Sequence, residues 1–277
     1  MPSVAEKISF ETNHLTPRIA SEVMMDRDQL LSGQCSDALR LLLVERGVLV
    51  FRKVDLSAEE LAAFARTLGP IVAESGIEVL TMSFNEKDTR VAAYLRSTQF
   101  WHIDNLGRGM PNFASMLSAI EVPPTGGETE FANTYAAWDG LRETEKAELD
   151  GLIARHSFEH AQRKANPDPS DEQVRQWRSL GSSEVPLVWH HRSGRASLAL
   201  STDAFEVVGM EPADGQALLA RIEAHATRPE YVYRHNWSAG DLVVWDNTGT
   251  LHRGRPFPEG APRRMLRVAT AGFEPVC

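Results

Sequence analysis

Residues 101–105 read Trp-His-Ile-Asp-Asn, which sets His102 and Asp104 two positions apart. Side chains two apart on an extended segment share a face. An imidazole and a carboxylate therefore converge there, as two corners of a metal site. The third corner has to come from elsewhere in the chain. His252 is the candidate, six residues beyond Asp246 and behind the apolar run 242–245. Two histidines and one carboxylate on one face of an ion form the ligand set of non-haem Fe(II) centres. The plainer alternatives are a strand-end histidine bonded to its neighbouring aspartate and, for His252, a polar loop histidine.

Downstream, Arg263, Met265 and Arg267 share one face of an extended segment, with Arg264, Leu266 and Val268 on the other. A buried arginine needs an anion, and a planar guanidinium holds a carboxylate through two parallel hydrogen bonds. An anion site thus lies near the metal site, unless the arginines pair with acidic side chains on a neighbouring strand. His156, His160, Arg163 and Lys164 form a second cationic group. It is either a solvated basic face or a subsite for a substrate anion. Asn105 adjoins Asp104 as a further substrate candidate. Phe100, Trp101 and Phe205 either pack the apolar body of a substrate or belong to the core.

These residues need a scaffold. Residues 7–12 alternate as a strand, 37–46 follow helical spacing up to Gly47, and 48–51 form a buried strand. Ser57-Ala-Glu-Glu is a capping box opening a helix that stops at Gly69-Pro70. From Gly76 onward short apolar runs alternate with loops, at 77–83, 91–96, 99–104 and 113–119. A Gly126-Gly127 turn leads into a strand at 128–132. Asn133 caps a helix near 135–141, and 143–154 continues helical. The polar stretch 159–184 shows no firm strand and reads as a lid inserted into the domain. Strands at 186–191 and 196–201, a helix at 211–226, and strands at 231–237 and 242–245 complete the pattern. Many short strands with Gly/Pro turns predict a sandwich or barrel.

Composition narrows the function classes. The net charge of −9 disfavours a nucleic-acid partner. Two cysteines, Cys35 and Cys277, make neither a disulfide framework nor a zinc pattern. The N-terminus lacks an apolar run of signal-peptide length. The most apolar stretch, 39–51, is interrupted by Arg40, Glu45 and Arg46 and is too short to span a bilayer. The expectation is a cytoplasmic protein without membrane attachment, acting on a small molecule.

The order of these motifs resembles the Fe(II)/2-oxoglutarate-dependent dioxygenases of the taurine dioxygenase and 2,4-dichlorophenoxyacetate dioxygenase (TauD/TfdA) family. The matching residues are Trp-His-x-Asp at 101–104, Gly-Gly-x-Thr at 126–129, Trp-Asp-Asn at 245–247, His252, and the Arg263/Arg267 pair. The resemblance implies a mainly β fold with flanking helices (α+β), a double-stranded β-helix or jelly roll, in one domain over 1–277. It implies Fe(II) on His102, Asp104 and His252, with 2-oxoglutarate and O2 as cosubstrates. Thr129 and Arg263 would hold the distal carboxylate of 2-oxoglutarate, and Arg267 would lie near its keto-acid end or the substrate. The implied reaction hydroxylates a small anionic compound (a carboxylate, sulfonate or sulfate ester), releases succinate and CO2, and ends in bond cleavage where the new hydroxyl is unstable. Asp104 implies hydroxylation rather than halogenation, because related halogenases lack the carboxylate. The family also implies a dimer or tetramer. Two other readings use the same residues: a zinc hydrolase, which has no use for Arg263, and a non-catalytic binding jelly roll.

Overall fold

The computed structural model describes residues 10–83 and 96–277. The chain opens with β1 (Glu11–His14) and β2 (Ser21–Met24), then α1 (Arg27–Leu31) and α2 (Ser36–Arg46). Strand β3 (Val48–Phe51) follows, then α3 (Ala58–Leu68), whose capping box pairs Ser57 with Glu60. Strands β4 (Leu80–Ser83), β5 (Ala114–Glu121) and β6 (Thr129–Asn133) come next. Asn133 accepts from the Ala136 amide and so starts α4 (Thr134–Asp139), ahead of α5 (Glu143–Leu149).

Beyond this point the sequence and the structure part. The helical reading of 143–154 stops at Leu149. Gly151 takes a left-handed φ of 80° and turns the chain into β7 (Ile153–Ser157). The stretch read as a strandless lid holds three elements: α6 (Phe158–Ala165), α7 (Asp171–Ser179) and β8 (Ser182–Pro186). Ser157 caps α6, and a Ser170–Gln173 capping box starts α7. Strand β9 (Val188–His190), β10 (Ala196–Leu198), β11 (Ala204–Val207) and α8 (Pro212–Ala226) follow. The chain ends with β12 (Val232–His235), β13 (Leu242–Asp246), β14 (Thr250–Gly254) and β15 (Arg264–Ala269). Residues 7–9 and 91–95 of the expected strands lie outside the described residues.

Two sheets carry the site. The larger has the order β1-β2-β3-β13-β5-β15-β4, and the smaller is β12-β6-β14. Alternation along β3 and β13 explains why they stack. Leu49, Phe51, Leu242 and Val244 point towards Leu39, Leu43, Leu61 and Phe64 on α2 and α3. Val48, Val50, Val243 and Trp245 point the other way and meet Phe131 and Tyr233 of the smaller sheet. The period-two rule thus builds a helix layer on one face and a second sheet on the other. A three-stranded sheet, β11-β7-β8, and the β9–β10 hairpin flank this pair. Among the described residues no helix is long and apolar enough to cross a membrane.

Candidate active site

His102, Asp104 and His252 offer ligand atoms that all lie within 4.8 Å of one another. The local geometry differs from the expected strand over 99–104. His102 forms only an isolated antiparallel bridge with His252, through His102 N–H to His252 O (3.1 Å) and His252 N–H to His102 O (3.0 Å). Strand β14 therefore carries one histidine and recruits the other directly. Just beyond, Asn105 takes a left-handed φ of 59° and the chain enters a 3-10 turn. Asn247 fixes the intervening Asp104. Its side-chain carbonyl accepts from the Asp104 N–H (2.9 Å), and its amide donates to the Asp104 carbonyl (3.0 Å).

The protonation pattern suits a cation. Nδ1 of His102 lies 2.8 Å from the Phe100 carbonyl and donates to it. That leaves the Nε2 lone pair facing the site, 3.8 Å from Asp104 Oδ1. Nε2 of His252 is 3.6 Å from the same oxygen. Burial, joined by the charge of His252, pushes His102 down to about 4, so it is neutral at pH 7. Burial works against the Asp104 carboxylate, but Arg267 and then His252 hold it well below the usual range. Its second oxygen, Oδ2, accepts from Ser115 Oγ (2.8 Å) and Arg267 Nη2 (2.9 Å). Oδ1 is thereby the oxygen left to an ion. The neutral His102 imidazole and the Asp104 carboxylate, each braced by an outer hydrogen bond, together with His252 Nε2 fit a divalent transition metal.

Two cavities meet at this trio. The narrow one, about 80 Å³, is lined by Thr129, Arg263, Phe257 and Trp245. The wide one, about 880 Å³, is lined by Glu74, Asn105, His156 and residues 180–183 at the start of β8. His102, Asp104 and Arg267 belong to the walls of both. Arg263 is 7% exposed, lies over the Phe257 ring, and is pushed by burial down to about 10. Thr129, on β6, accepts from Trp237 Nε1 (3.0 Å), which leaves its hydroxyl hydrogen to point elsewhere. The Gly126-Gly127 turn makes room here, because a Cβ on Gly126 would stand 2.5 Å from the Pro256 carbonyl. Trp245 packs on the His252 ring with centroids 4.8 Å apart and closes the apolar side.

Other predicted residues sit elsewhere. Arg267 is not aimed only at a ligand: Nη1 also donates to Glu74 (2.7 Å). Phe205, proposed from sequence as a substrate contact, lines neither cavity and rests against His160 at 5.9 Å. Phe100 and Trp101 line neither as well, and Trp101 is core. The cationic group disperses. Arg163 pairs with Glu159, Lys164 donates to the Thr202 carbonyl, and of the four only His156 lines the wide cavity. Spacing misled because α6 distributes these side chains around its axis. Asn247, Ser115, Glu74 and Asp203 escaped sequence reading as participants. Only the Trp-Asp-Asn context of Asn247 hinted at one of them.

Metal donors between stacked sheets, with a buried arginine in the adjoining cleft, define a metalloenzyme on mixed sheets with flanking helices. The comparisons agree. The family described as "Taurine catabolism dioxygenase TauD, TfdA family" matches residues 11–269. The chain is 34% identical to an alpha-ketoglutarate-dependent 2,4-dichlorophenoxyacetate dioxygenase of Cupriavidus pinatubonensis, over 95% of this chain and 98% of that one. It is 32% identical to an alpha-ketoglutarate-dependent sulfate ester dioxygenase of Pseudomonas putida, over 97% and 92%. The crystal structure of AAD-2 in complex with Mn(II) and N-oxalylglycine superposes with a TM-score of 0.87 and 32% identity, covering 98% of this chain and 99% of that one. The chain belongs to the TauD/TfdA dioxygenase family.

Proposed function

We propose that this protein is an Fe(II)- and 2-oxoglutarate-dependent dioxygenase that hydroxylates a small anionic organic substrate. One observation carries the reading: the three metal donors gather at a narrow cleft with a buried arginine, and two of them, His102 and Asp104, also line the wide cavity. The two stacked sheets are read as the halves of a double-stranded β-helix, with the donors between them. His102, Asp104 and His252 hold the iron, and Thr129 and Arg263 hold the far carboxylate of 2-oxoglutarate in the narrow cleft. When bound, the pair supplies the oxidising power to place an oxygen atom on a carbon, with succinate and CO2 released.

The protein's own part is charge and exclusion. With Asp104 as its one anionic donor, a divalent ion held by these three residues would keep one net positive charge, which suits a keto-acid dianion. Ser115 and Arg267 hold Asp104 Oδ2, so Oδ1 would be the oxygen offered to the ion. Trp245, Phe257 and Leu117 keep water from the narrow cleft. The substrate takes the wide cavity, where Arg267 and Asn105 stand on the metal side. A zinc hydrolase has no role for Arg263, and the relatives named above give it no support.

Succinate release with sulfonates, phenoxyalkanoates and alkyl sulfates, supplied with Fe(II), ascorbate and 2-oxoglutarate, tests the proposal. Arg263→Ala should raise the 2-oxoglutarate requirement by about a hundredfold or more, the equivalent of about 3–5 kcal/mol for a one-sided break of a buried charge pair. An unchanged requirement removes Arg263 from this role. Turnover without 2-oxoglutarate overturns the assignment.

A further inference from the structure

We infer that Trp237 is a positioning residue for the cosubstrate: its indole N–H occupies a lone pair of the Thr129 hydroxyl, so that the hydroxyl hydrogen is turned to the far carboxylate of 2-oxoglutarate. The inference rests on the dioxygenase reading above, because it concerns the narrow cleft that the reading gives to the keto acid.

Alternation along the smaller sheet brings the two residues together. On β12, Tyr233 and His235 pair with Phe131 and Thr129 of β6. On the other side of β6, Phe131 faces His252 and Thr129 faces Gly254. One row across the sheet is therefore Tyr233-Phe131-His252, and the next is His235-Thr129-Gly254. The first row carries a metal donor, and the second carries the hydroxyl. Glycine leaves room beside that hydroxyl, since a Cβ on Gly254 would come no closer than 3.9 Å to its nearest neighbour, the Thr98 carbonyl. Thr129 and Gly254 both line the narrow cleft. Trp237, two residues beyond His235, continues the same face by the period-two rule and packs against Phe131 and Trp245. It closes the row on the side away from Gly254, with Nε1 3.0 Å from Thr129 Oγ1.

The indole has little freedom to leave this place. The His235 ring meets it edge to face, with centroids 4.4 Å apart. His235 is itself fully buried, its Nδ1 3.0 Å from the Tyr233 hydroxyl and its Nε2 3.3 Å from Asp241 Oδ2. Asp241 accepts from Arg52 Nη1 (2.7 Å) and from the Ser238 N–H (3.1 Å), which pins the turn that follows Trp237. The chemical consequence comes from the hydroxyl, which has one hydrogen and two lone pairs. An indole N–H only donates, so it claims a lone pair and the hydrogen rotates away from it. Thr129 is 4% exposed, so bulk water competes little for that hydrogen. A carboxylate only accepts, and an oriented donor is what it needs there. Accepting one bond also polarises the hydroxyl and strengthens the bond it donates. Trp237 thus acts through Thr129, from behind the wall of the cleft.

The test reads binding without turnover. Anaerobic calorimetry would measure 2-oxoglutarate binding to the Mn(II)-loaded protein. Trp237→Phe, which deletes the N–H and keeps a ring, should weaken binding by about three- to tenfold, the worth of one hydrogen bond. Mn(II) affinity, read by electron paramagnetic resonance, should not change. Beside Thr129→Val, Trp237→Phe should cost nothing further, because the N–H has already lost its acceptor. Replacing Trp237 by benzothienylalanine, which keeps the fused rings but has sulfur in place of the N–H, should weaken binding as phenylalanine does. This near-isosteric variant carries the test if Trp237→Phe does not fold. The proposal is overturned if the benzothienyl variant binds as the wild type does, which would reduce Trp237 to packing, or if the loss persists in full beside Thr129→Val. A wild type that does not bind 2-oxoglutarate would overturn the dioxygenase reading and this inference with it, whereas equal binding by wild type and variants would overturn this inference alone.

Discussion

Asn247 shows how much of the site depends on a side chain that touches no ligand. Fully buried, it copies a peptide unit: it accepts from and donates to the backbone of Asp104, and also donates to the Asn112 carbonyl (3.1 Å). Asn247→Ala removes all three bonds and frees the segment that carries the carboxylate. Outer partners of this kind are worth about 10–100-fold in metal affinity. Mn(II) titration followed by electron paramagnetic resonance should therefore show weakening in that range, while an unchanged affinity would leave Asn247 a purely structural residue. The histidines and the aspartate were legible in the chain through the order of the motifs around them, because a His-x-Asp pair or a loop histidine alone has plainer uses. Asn247 was not, because its role is set by a partner 143 positions away. His156 was legible as a residue but not in its chemistry. It looked like one member of a basic cluster, and the fold instead ties it to Asp203.

At the scale of elements, periodicity foretold the strands that face two ways. The buried run 48–51 and the apolar run 242–245 became β3 and β13, and the Ser57 capping box opened α3 as its sequence dictates. Where few side chains are buried, the pattern faded. Helix α7 buries only Trp177, and α6 only Ala161 and Gln162, so their polar sequences resembled a loop. The bridge between His102 and His252 was equally hidden, since one residue pair leaves no periodic trace. The stacking of the two sheets gives a measurable prediction. Phe131 on β6 is fully buried, with ring centroids 5.5 Å from Trp245 and 6.5 Å from His252. Phe131→Ala should cost about 3–5 kcal/mol of stability through lost burial and the cavity left behind. Urea unfolding measures this directly. A loss below about 1 kcal/mol would mean that the sheets close over the gap.

For the whole molecule, pH sets two groups of carboxylates against each other. Asp104, Asp203, Asp241 and Glu130 are held below their ordinary range, although burial opposes this in each. Their contribution is present at neutral pH and is lost as acid protonates them. Asp246 behaves in the opposite way. Burial pushes its carboxyl up to about 6, against the bonds from Thr248 and the charge of Arg195. Its Oδ1 accepts from the Thr248 N–H (3.0 Å) and hydroxyl (2.6 Å), while Oδ2 is buried without a partner. A folded-state value above the unfolded one means that the native protein binds the proton more tightly. The stability from Asp246 is thus complete below about 3.8 and is lost as pH rises through about 6. Asp246→Asn removes this dependence and substitutes a fixed cost for an amide without an acceptor. The depressed carboxylates are common to both proteins and cancel in the difference. Wild-type stability minus that of Asp246→Asn should therefore fall by about 2 kcal/mol between pH 4.5 and 7.5. Paired urea titrations across that interval read the slope, and a flat difference would show that Asp246 carries its charge inside the folded protein at little cost.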